Sequence, residues 1–113
     1  MQGVYTIGFI GSKGFGAGTI FLISNRVIGF DNRGCMIDGE YKNRDDGGAD
    51  ILMQVLIPPG MTVAFDNMIS DKPRIVKCSF FLEGDLGGGA PKMVQMETGP
   101  IQICFAKIRD IAQ

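Results

Sequence analysis

The chain contains no histidine and no tryptophan. The missing imidazole removes the commonest general base at neutral pH and the commonest metal ligand. Serine and cysteine nucleophiles are present, but the base that would activate them is hard to find. Composition therefore points away from enzymatic activity, and no cofactor or metal is expected. Cysteine is sparse: Cys35, Cys78 and Cys104 make an odd number with no CxxC spacing, which fits buried, reduced thiols in a cytoplasmic protein. Charge of neither sign dominates, with 11 Lys and Arg against 12 Asp and Glu. The cations are scattered, so no direct nucleic-acid partner is expected. No apolar run reaches the roughly 18 residues that a spanning helix needs. The N-terminus lacks a basic segment followed by an apolar block. The expectation is a cytoplasmic protein with no membrane partner.

What the chain has is glycine and alternation. Seventeen glycines stand against five prolines, so turns and close backbone approaches are frequent. The stretch from Gly3 to Asp31 organises the rest. Tyr5, Ile7 and Phe9 alternate with Val4, Thr6 and Gly8, the period of a strand with one buried face. Gly11-Ser12-Lys13-Gly14 turns the chain. Ala17, Thr19, Phe21 and Ile23 then alternate with Gly18, Ile20 and Leu22, and Ser24-Asn25-Arg26 leads into Val27 to Phe30. Connections this short leave no room for crossover helices, so neighbouring strands are antiparallel.

Further strands follow. Residues 35–43 carry Gly39 at their centre, where a bulge or sharp bend is expected. Asn43 to Ala49 reads as a solvated hairpin loop. Ile51, Met53, Val55 and Ile57 form an apolar face that ends at Pro58-Pro59-Gly60. Met61 to Lys72 suggests one helical turn or a flap that caps a barrel end. Arg74 to Leu82 is a strand with Val76, Cys78, Phe80 and Leu82 on one face. Glu83 to Pro91 reads as a flexible glycine loop, Met93 to Glu97 as a short strand, and 101–108 as the last, with Ile101, Ile103 and Phe105 on one face. About eight short strands with hairpin connections predict one domain over 1–113: an all-β, antiparallel, up-and-down eight-stranded barrel of lipocalin-like type.

The glycines of GSKGFGAG do not form a phosphate loop. Lys13 precedes Gly14, and a strand follows where a helix N-terminus would be needed. Asp38 and Glu40 share a face, which reads as a solvated outer surface. Asp45, Asp46 and Asp50 lack the spacing of a calcium loop. Met53, Met93 and Met96 read as core filling. Ile20, Leu22, Leu52 and Leu56 place apolar residues on a second face, and a homodimer through outer strand faces would cover them.

GVYTIGFI, then GAGTIFLISNRVIGFD and DGEY, resemble the GrlR family of small regulators over roughly the first 57 residues. The shared pattern falls on Gly3, Tyr5, Ile7 and Phe9, then Gly16 and Gly18, then Gly29 and Asp31, then Gly39 and Tyr41. The resemblance implies a lipocalin-like barrel, usually dimeric and non-catalytic, that regulates by binding and holding a transcriptional activator. It also implies a partner contact through the acidic loop after the fourth strand, here Asn43 to Asp50. Asp45, Asp46 and Asp50 would meet the partner. Gly47-Gly48-Ala49 interrupts the family's unbroken acidic run and lowers its charge density. The rival reading is a carrier of a small apolar ligand lined by Tyr5, Ile7, Phe9, Phe21, Met53 and Phe105. Eight strands leave room for side chains and one small ligand.

Overall fold

A computed structural model describes residues 2–11, 14–61, 70–84, 88–96 and 99–109. Among these residues eight strands make up the regular structure: β1 (Gly3–Gly11), β2 (Gly14–Ile23), β3 (Arg26–Asp31), β4 (Met36–Asn43), β5 (Ala49–Ile57), β6 (Arg74–Leu82), β7 (Gly88–Met96) and β8 (Gly99–Arg109). They form one antiparallel sheet in the order β6-β5-β4-β3-β2-β1-β8-β7. The sheet curls into a nearly closed barrel, so the expected all-β, antiparallel, eight-stranded barrel is observed.

The edge strands β6 and β7 meet at the seam. Side chains bridge it: Lys92 of β7 lies 3.1 Å from the Glu83 carboxylate that follows β6. The Lys92 ammonium also sits 5.7 Å from the Phe81 ring centre. Pro91 lies on β7, an edge strand, where its missing N–H is tolerated.

Turn chemistry sets the register. Ser24 and Asn25 both have positive φ, 50° and 65°, as a two-residue primed turn requires. On β1 and β2, Gly11 pairs with Gly14, Phe9 with Gly16, Ile7 with Gly18 and Tyr5 with Ile20. Cross-strand partners share a face. The Tyr5 face therefore takes Ile20 and Leu22 inward, where they are 1% and 0% exposed, and turns Phe21 outward at 37%. This corrects the expectation that Phe21 lines the interior while Ile20 and Leu22 lie on an outer face. Alternation alone does not choose between two apolar faces; the hairpin register does.

Three further expectations are corrected. β7 starts at Gly88, so Gly88 and Gly89 lie in a strand where a loop was expected. Met93 is exposed, while Met53 and Met96 are buried. Of the bulge or sharp bend expected at Gly39, the bulge is absent, since β4 keeps a continuous register with both neighbours. The reason for glycine there is close approach: a Cβ at position 39 would meet the Leu52 carbonyl oxygen and lie 2.7 Å from the Met53 Cα. The register does shift elsewhere, between Val4 and Tyr5 and between Gly88 and Pro91, both against β8.

The core fills the barrel. Phe105 is 1% exposed, with Tyr5 edge-on at 6.4 Å and Phe80 at 5.9 Å. Both ring pairs fall within the range of favourable aromatic contact. Most of the 61–72 segment lies outside the described residues. Its flanks converge, for the Gly60 N–H donates to the Ser70 carbonyl at 2.7 Å, and Met61 packs against the core.

Candidate functional site

Three places could carry function: the interior, the β4–β5 loop and the outer surface. Tyr5, Ile7, Phe9, Met53 and Phe105 all point inward, as the carrier reading requires, and Phe21 does not. Among the described residues, an apolar interior cavity of about 40 Å³ is bordered by Ile7, Phe9, Ile37, Met53 and Phe105 among others. Small-molecule pockets usually span roughly 300–1,000 Å³. The side chains that would line a ligand site fill it instead.

Asp31 borders one end of that cavity and is only 7% exposed. Its Oδ1 accepts the N–H groups of Arg33 and Cys35, each at 2.9 Å. This local turn satisfies the buried carboxylate and fixes the β3–β4 connection. The Cys35 Sγ lies 3.7 Å from the Met61 sulfur. Burial pushes the Cys35 thiol up to about 11, with the Asp31 charge adding to the shift. Burial alone pushes Cys78 up to about 11. All three cysteines are free. Cys35 and Cys78, held protonated by burial, are poor nucleophiles at neutral pH.

The β4–β5 loop holds the acidic residues. The Arg44 N–H donates to the Gly48 carbonyl at 2.8 Å, and the Gly47 N–H to the Arg44 carbonyl at 3.1 Å. Asp46 Oδ1 accepts the Gly48 N–H at 3.0 Å, so this carboxylate also shapes the turn. Asp50, on β5, lies 3.5 Å from Arg44, whose guanidinium stacks 4.5 Å from the Phe81 ring centre. Asp45, Asp46 and Asp50 are all exposed. Asp45 makes no hydrogen bond or ion pair with the described residues. Sequence reasoning found these carboxylates but missed Arg44 and Phe81; β5–β6 register sets Phe81 opposite Asp50, the residue with which Arg44 pairs.

Two open depressions flank the loop. One, of about 590 Å³, is bordered by Glu40, Lys42, Asp50, Leu52 and Ser79. The other, of about 440 Å³, is bordered by Asp46, Phe81, Glu83 and Gly84. Asp38 and Glu40 lie on the outer face as expected, and Asp38 pairs with Arg26 at 2.9 Å. Among the described residues no group of acidic or thiol side chains is arranged to hold a metal, and no helix is long and apolar enough to cross a membrane.

No protein-family model matches the chain, and no curated protein and no solved structure gives a match.

Proposed function

We propose that this barrel is a non-enzymatic regulator that works by binding another protein, as the GrlR-like pattern of its first half suggests. The partner would be a basic one, with a transcriptional activator as the leading class. The observation that carries the reading is where free volume lies. The interior cavity found among the described residues holds about 40 Å³, whereas open depressions border Asp46 and Asp50 of the exposed acidic loop. A filled barrel favours an exterior role over carriage of a ligand. Charges at such a rim act mainly on association rate and specificity.

The test is a triple variant, Asp45→Asn, Asp46→Asn and Asp50→Asn, titrated against the protein that co-purifies with the natural chain. Asparagine keeps an oxygen to accept the Gly48 N–H, and the exposed Asp50–Arg44 pair contributes little to stability. Weaker, slower association at an unchanged melting temperature supports the reading. Unchanged binding removes the loop from it, and a small-molecule mass retained in native mass spectrometry would favour the carrier.

A further inference from the structure

The exposed apolar residues concentrate at one end of the barrel, where the β1–β2 hairpin, the β3–β4 turn and the start of β6 lie. At that end, every strand from β1 to β6 presents a large apolar side chain at its last outward position: Ile10, Phe15, Phe30, Met36, Leu56 and Ile75. These residues are 38% to 76% exposed. Phe30, Met36, Leu56 and Ile75 form an unbroken cross-strand row, and Ile10 pairs with Phe15. The opposite end is mixed, with Ile108 of β8 exposed there beside charged positions. Its outward positions on β3, β4 and β5 are Arg26, Lys42 and Asp50, all exposed, and Phe81 there lies beneath Arg44.

We infer that this apolar end docks the barrel on an anionic lipid surface. A partner with one flat contact covers one side of a barrel, whereas these six side chains lie on six of its eight strands. A medium that surrounds the end covers all six side chains at once. Immersion of about 5–10 Å, the depth typical of interfacial binding, suffices for a band one outward residue deep. Charge agrees with this. Exposed Lys72 and half-buried Arg33, in the β3–β4 turn, bring positive charge to this end, against exposed Asp71; Arg74 is half-buried at an inward position, and Asp31 is buried and holds backbone N–H groups.

The same pattern excludes spanning. The next outward row along the strands starts apolar, at Phe21 and Ile28, and then meets Asp38, Gln54 and Lys77. Thr6 and Glu40 are further polar outward positions. A membrane-crossing barrel needs an apolar band of about 25 Å. Docking by this end leaves the acidic β4–β5 loop, at the other end, facing solvent. The inference therefore stands or falls independently of the proposed partner.

The experiment is flotation of the full chain with phosphatidylcholine vesicles and with vesicles rich in phosphatidylglycerol. Binding to the anionic vesicles is expected, weakened by salt. The pair Phe15→Ser and Ile75→Ser should reduce the bound fraction by about tenfold or more, with the fold checked by circular dichroism. Leu52→Ser, on the outer face away from the band, should leave binding intact. Absence of binding to either vesicle overturns the inference, as does binding indifferent to the paired substitutions. A dimer in sedimentation that the same pair dissociates also overturns it, because a second copy then covers the band.

Discussion

Gly39 of β4 and Met53 of β5 are cross-strand partners, and their backbones approach so closely that a Cβ on Gly39 would lie 2.7 Å from the Met53 Cα. The obstacle is main chain, so no rotamer change relieves it. Gly39→Ala should destabilise the barrel by about 1–3 kcal/mol or more, as overpacking in a close-packed interior does. Gly8→Ala is the control. A Cβ there meets nothing within 4 Å, and a strand alanine is favoured over glycine by roughly 0.5–1 kcal/mol. Urea unfolding of both variants checks the contrast: equal losses would remove the close approach as the reason for Gly39.

The strand pattern was legible because its cues are local. Period-two alternation located most of the strands, and short turns made them antiparallel. What was not legible is which face is inner where both are apolar. Phe21 and Ile20 are equally apolar neighbours; only the pairing of Tyr5 with Ile20 assigns them. Counting residues back from the Gly11–Gly14 turn would have supplied that register. Gly88 to Ala90 resembled a loop because consecutive glycines offer no side-chain pattern, and pairing with β8 overrides that preference. The acidic loop was visible as a charge cluster. The apolar band at the opposite end was not, since its members are spread from Ile10 to Ile75 and gather only when the strands align.

The corrected facing of β2 gives a second prediction. Phe105→Ala removes a fully buried ring that touches Tyr5 and Phe80, and should cost about 3–5 kcal/mol. Phe21→Ala truncates an outward ring and should cost less than about 1 kcal/mol by the usual scale of surface substitutions. Denaturant titration separates the two. A Phe21 loss as large as that at Phe105 would return Phe21 to the interior.

Asp31 offers a third. Its Oδ1 accepts two backbone N–H groups, and the one from Cys35 is buried. Asp31→Ala strands that donor and should cost about 1–3 kcal/mol. Asp31→Asn keeps a side-chain oxygen in the same place and should recover most of the loss. Equal destabilisation by alanine and asparagine would mean that the charge, rather than the turn geometry, is what matters at this position.

The buried thiols give stability a pH dependence with a definite sign. Burial raises Cys35 and Cys78 from 9.0 to about 11 in the folded protein. Below pH 9 both are protonated in the folded and unfolded chains, and their contribution is fully present. As pH rises from about 9 toward 11, the unfolded chain releases protons that the folded one keeps, so the unfolded state gains and stability falls. The melting temperature should therefore decline across this window. Other groups titrate there too, so the informative quantity is a difference. Cys78→Ala starts less stable, because it leaves a small cavity, but should lose less stability per pH unit than the natural chain. Parallel slopes for the two proteins would show that Cys78 ionises as readily when folded as when unfolded, and that its surroundings are wetter than its burial implies.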